Sequence, residues 1–115
     1  MERAVRHKLL PEINPREQGE RGYLSMKKQL HIYYSGLVQG IGFRYTLQDI
    51  AREQKVCGWV KNLDDARVEV VAEAEEEYLH NFLQKINQQF PQYIKDVSIA
   101  WFPASGEFRD FTIKF

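Results

Sequence analysis

The chain has 115 residues, 43% of them hydrophobic, which suits one domain with one modest core and excludes a disordered chain. Sixteen basic residues balance sixteen acidic ones, and a formal net charge of zero argues against a general nucleic-acid or acidic-membrane binder. No apolar run is long enough to span a bilayer, no signal-peptide core is visible, and the single cysteine, Cys57, allows no internal disulfide, so a reducing cytoplasm is the expected setting.

Residues 1–25 contain Pro11, Pro15, Gly19 and Gly22, scattered charges and no sustained apolar period. They read as a loosely ordered N-terminal extension before a compact domain over 26–115. Within the extension, Asn14 and Pro15 have the form of a helix cap and first helical position.

From Leu30 the pattern is orderly. Leu30 to Tyr34 is a strand rich in β-formers. A glycine-rich loop follows, and then Phe43, Leu47, Ile50 and Ala51 recur at i, i+4, i+7 and i+8, one face of a helix. Val56 to Lys61 forms a second strand, Asn62 to Ala66 a tight turn, and Arg67 to Glu73 a third strand. Leu79, Phe82, Leu83 and Ile86 mark a second helix. Glu75, Glu76 and Glu77 suit its positive end, and Phe90-Pro91 stops it. Val97 to Phe102 is a fourth strand, and Phe108 to Phe115 a last one with Phe111, Ile113 and Phe115 on one face. The order β-α-β-β-α-β plus a terminal strand predicts an α+β, ferredoxin-like sandwich. Two helices would cover one face of an antiparallel sheet of four to five strands.

The loop Gly36-Leu37-Val38-Gln39-Gly40-Ile41-Gly42-Phe43-Arg44 carries the chemical interest. Glycine reaches positive φ cheaply, so the backbone can curl until several N–H groups converge. The first helix adds its own unpaired N–H groups, and Arg44 adds a planar, permanently charged fork suited to phosphate or carboxylate oxygens. Two readings are open: an anion cradle, or a plain strand-to-helix connection with a surface arginine. Asn62 also has two readings, a turn-former or a side chain facing whatever the loop holds. Strands one and three are neighbours in the predicted topology, which puts the turn after strand two at the same sheet end as the loop. The loop is neither a Walker loop nor a dinucleotide fingerprint. No His/Cys/Asp cluster has metal spacing, and Cys57 reads as a small core residue.

The glycine loop, followed by Gly58-Trp59-Val60-Lys61-Asn62-Leu63-Asp64-Asp65, resembles the acylphosphatases, and the resemblance covers about residues 30–115. It implies that Arg44 binds phosphate, that Asn62 positions the attacking water, and that the backbone of Gln39, Gly40, Ile41, Gly42 and Phe43 cradles the phosphate. It implies small acyl phosphates as substrates, inorganic phosphate as product and inhibitor, and no metal or other cofactor. A monomer without nucleic-acid or membrane partners is expected. Three departures stand out: Asp65-Ala66 where the family's turn ends Asp-Gly, Phe90-Pro91 where it carries Gly-Pro, and the 25-residue extension, which has no counterpart in the compact family pattern. An alanine held at positive φ costs roughly 1–2 kcal/mol. A non-catalytic anion-binding module of the same fold is the alternative. An RNA-binding module is disfavoured, because the third strand has no aromatic residue, and Trp101, Phe102 and the Phe108–Phe115 stretch read as core.

Overall fold

A computed structural model describes Val5–Arg6 and residues 26–115. Strand β1 is Val5–Arg6, β2 is Lys27–Gly36, and helix α1 is Phe43–Glu53. Strands β3 and β4 are Cys57–Asn62 and Val68–Glu75, helix α2 is Glu76–Gln89, and β5 and β6 are Ile94–Pro103 and Phe111–Lys114. The strands form one sheet in the order β1-β5-β2-β4-β3-β6. The four central strands are antiparallel and β2 lies beside β4, as the ferredoxin-like reading requires. Of residues 1–25, expected to form a loose extension, Val5 and Arg6 pair with Ile99 and Ser98 of β5. The expected helix start at Asn14 lies outside the described residues.

Alternation decides which side chains of each strand face the helices. Leu30, Ile32 and Tyr34 of β2, Val68, Val70, Ala72 and Ala74 of β4, and Val60 of β3 lie in the core. Both helices add the stripes their periodicity marks: Phe43, Leu47, Ile50 and Ala51 from α1, and Leu79, Phe82, Leu83 and Ile86 from α2. Burying each of the larger of these side chains contributes roughly 1.5–3 kcal/mol. Three positions read as core differ. Cys57 alternates with Gly58 and Val60 and is half-buried. Phe102 falls on the opposite face from Trp101, and Phe115 lies past the end of β6; both are exposed.

The sheet is mixed rather than wholly antiparallel, because β6 runs parallel to β3. Chain direction makes this unavoidable. Gly36, Asn62 and Val68 share one end of the sheet, since Tyr34 and Asn62 both pair with Val68. Strand β5 starts at that end, with Ile94 beside Gly36, and finishes at the far end, with Pro103 beside Lys28. The chain then crosses the far end to reach the other sheet edge, so β6 must run back toward Asn62. Glu73 holds this crossing. Its Oε2 accepts from Ser105 N at 2.7 Å and Gln29 Nε2 at 2.7 Å, and its Oε1 accepts from Gly106 N at 3.0 Å.

Candidate active site

The end of the sheet that carries Gly36 and Asn62 also carries the glycine loop and the start of α1. Gly40 and Gly42 both have φ of 80°, and a Cβ at either would meet open space, so backbone conformation rather than crowding selects glycine there. Gly42 is also the residue before α1, and it offers no side-chain cap to the helix. Among the described residues, no N–H from Gln39 through Phe43 donates a hydrogen bond within the chain. Five consecutive free donors at a helix start attract an anion.

Arg44 occupies the first turn of α1. Among the described residues it has no carboxylate partner; its guanidinium carbon lies 5.0 Å from the centre of the Phe115 ring. Two other arginines, by contrast, are engaged. Arg52 donates from Nε and Nη2 to Asp110 at 3.3 and 3.0 Å, and Arg67 donates from Nε to Asp65 at 2.9 Å. Those partners hold the Asp110 and Asp65 carboxyls below the usual range, chiefly through the Arg52 side chain for Asp110 and the Arg67 backbone N–H for Asp65.

Asn62 is the last residue of β3, on the same face as Gly58 and Val60, the side covered by the helices. Its Oδ1 is buried and accepts no hydrogen bond from the described residues. A buried carbonyl acceptor without a protein donor is uncommon and calls for a partner such as water or a ligand. The turn that follows is tightly organised. Leu63 N donates to Arg67 O at 2.8 Å, Ala66 N to Leu63 O at 3.2 Å, and Arg67 N to Asp65 Oδ1 at 3.2 Å. Ala66 sits at φ 79°, in the left-handed region that its position in place of glycine foreshadowed.

One side chain joins the two halves of the site. Gln39 Nε2 donates to Leu63 O at 2.8 Å and to Arg67 O at 2.9 Å. The amide spends both N–H donors on the turn after β3, so the glycine loop and the segment bearing Asn62 are strapped together. The sequence reading used Gln39 for its backbone only. A residue with two donors, in a loop otherwise made of glycine and apolar side chains, was the available signal.

Among the described residues, no three His, Cys, Asp or Glu side chains come together in a way that could hold a metal ion. His31 Nε2 lies 2.6 Å from Glu69 on the open face of the sheet, and His80 Nε2 lies 3.3 Å from Glu76 along α2. No described helix is long and apolar enough to cross a membrane.

Known proteins resemble this chain in sequence and in fold. The acylphosphatase family model matches residues 30–113. The acylphosphatase of Bacillus velezensis is 41% identical over 88 residues, which span 76% of this chain and 98% of that one. The crystal structure of acylphosphatase from Bacillus subtilis superposes with a TM-score of 0.72 at 37% identity, covering 76% of this chain and 99% of that one. An acylphosphatase from Coxiella burnetii gives a TM-score of 0.68 at 30% identity over 77% of this chain and 94% of that one. The matched segment contains the glycine loop, both helices and nearly all of strands β2 to β6, and the chain belongs to the acylphosphatase family.

Proposed function

We propose that the protein hydrolyses the carboxyl–phosphate bond of small acyl phosphates, giving a carboxylate and inorganic phosphate. The observation that carries the reading is the Gln39 strap, which fixes a loop of free N–H donors and the Asn62 turn as one unit. Phosphate oxygens take the donors of Gln39 to Phe43 and the fork of Arg44. Asn62 Oδ1, short of a donor, accepts an O–H of water and orients it toward phosphorus. The water oxygen bonds to phosphorus, the phosphorus–oxygen bond to the acyl group breaks, and its electron pair leaves on the carboxylate. The water's proton passes to a phosphate oxygen or to solvent.

Among the described residues this site presents no strong general acid or base, and the proposed substrate needs none. A carboxylate leaves as a weak base, with a pKa near 4. Phosphoryl transfer then depends on positioning and on stabilising charge spread over three oxygens. The same inventory is poorly suited to a phosphomonoester, whose uncatalysed hydrolysis is far slower.

The test is a continuous assay on acetyl phosphate, with and without chelator, for the parent and for Arg44→Lys. The parent turns over and chelator leaves the rate unchanged. Arg44→Lys loses affinity for substrate and for inorganic phosphate together, because a compact ammonium cannot engage two oxygens as the planar fork does. Inorganic phosphate inhibits competitively and raises the melting temperature, since product and substrate share the cradle. Phosphate binding without turnover would favour a non-catalytic anion-binding module.

A further inference from the structure

We propose that Phe115 is a positioning residue for Arg44: its ring steadies the guanidinium while leaving the N–H fork open to the phosphate. The proposal rests on the reading of Arg44 as the phosphate-binding residue.

Three observations carry it. First, the Phe115 ring has no core to fill. It is 88% exposed, yet its centre lies 5.0 Å from the Arg44 guanidinium carbon, within cation–π range. Second, the contact belongs to a seam. Arg44, Gln48 and Arg52 recur at i, i+4 and i+8 along α1, one line on the helix surface. They meet β6 and the residues on either side of it, at the Phe115 ring, the Phe111 carbonyl (3.0 Å from Gln48 Nε2) and the Asp110 carboxylate. The two lower contacts fix helix against strand, and β6, parallel to β3, carries its last residues to the end where Asn62 lies. Third, the chemistry of the contact suits a binding arginine. A carboxylate would consume the fork, as Asp110 does with Arg52. An aromatic face attracts the cation through its quadrupole and accepts none of the in-plane N–H bonds. Arg44 is thus restrained without being neutralised.

The strand beyond the βαββαβ unit gains a role from this. It caps the β3 edge, and it also delivers a side chain to the anion site.

The experiment compares Phe115→Leu and Phe115→Trp with the parent in the full chain. The readouts are calorimetric Kd for inorganic phosphate, KM and kcat for acetyl phosphate, thermal midpoint, and the Arg44 Nε–Hε NMR resonance. Leucine keeps apolar bulk and removes the quadrupole, and tryptophan strengthens it. Phe115→Leu is expected to raise both the phosphate Kd and KM by about 2- to 5-fold, the scale of an exposed cation–π contact. Its kcat and midpoint should stay close to the parent's, and the Hε ring-current shift should vanish. Phe115→Trp should restore both affinities and the shift. An unchanged phosphate Kd in Phe115→Leu, or equal weakening in both variants, overturns the positioning role. Arg44→Ala serves as the reference: if it left the phosphate Kd unaltered, the assignment of Arg44 would fail and the proposal with it. A silent Phe115→Leu beside a damaged Arg44→Ala removes the role of Phe115 alone.

Discussion

Asn62 Oδ1 and Tyr34 Oη are both buried and both lack a hydrogen-bond partner among the described residues, but the two call for opposite outcomes on mutation. Tyr34 is wholly buried, its ring edge-on to Phe43 at 5.2 Å, and burial pushes its phenol pKa well up, so the hydroxyl stays neutral. Removing an unsatisfied hydroxyl while keeping the ring relieves a desolvation cost. Tyr34→Phe should therefore raise unfolding free energy by about 1 kcal/mol in urea melts, with activity unaffected; a clear loss would show that the hydroxyl has a partner. Asn62→Ala should behave differently. Arg44 and the loop donors remain, so phosphate affinity and stability change little. The water loses its orienting acceptor, and kcat should fall on the order of 100-fold or more, about 3 kcal/mol of barrier. Equal kcat values on folded protein would leave Asn62 a turn residue only.

At the level of single elements, two non-glycine residues hold positive φ, Lys55 at 61° and Ala66 at 79°. Lys55 closes α1: Val56 N donates to Ala51 O at 2.8 Å and Lys55 N to Arg52 O at 3.3 Å, a Schellman-type end that usually places glycine at this position. Ala66 closes the turn after Asn62. Left-handed backbone costs an L-residue roughly 1–2 kcal/mol, and glycine's extra freedom in the unfolded chain returns part of that. Ala66→Gly should add about 0.5–1 kcal/mol in thermal or urea melts. Any change in kcat would report how firmly the turn aims Asn62. The Gln39 strap already fixes the turn at two carbonyls, so a small kcat effect is expected.

On the scale of the whole molecule, Glu73 is the element that closes the sheet. It is the one buried charged side chain among the described residues, and burial alone would raise its pKa. Hydrogen bonds from Ser105, Gln29 and Gly106 outweigh burial and leave it lowered from 4.5. A depressed folded pKa means the unfolded state binds the proton more readily. The stabilisation is therefore complete above the unfolded value and lost as pH falls through the folded one. Stability should be flat from neutral pH to about 5 and decline below about 4.5, with Asp65 and Asp110 adding in the same direction. Glu73→Gln keeps one acceptor and loses the charge. It should lower stability at pH 7 by about 1–3 kcal/mol and flatten the acid limb, read from urea midpoints at several pH values.

Periodicity was enough for the local structure: the buried stripes of α1 and α2 follow from 3.6-residue spacing, and those of β2 and β4 from alternation, because each depends only on which neighbours share a face. The glycine pattern likewise marked Gly40 and Gly42 for positive φ, and the resemblance to the family's Asp-Gly turn marked Ala66 for strain; both demands are local to the backbone. The direction of β6 was not local. It depends on where β5 ends and on Glu73 meeting a loop more than 30 residues away, a contact no window of sequence contains. The same holds for Gln39 reaching Leu63 and Arg67 across 24 and 28 residues, and for Phe115 meeting Arg44 across two packed elements. Residue types, together with the family resemblance, suggested the chemistry proposed for this end of the sheet; only tertiary packing decided which side chains touch which.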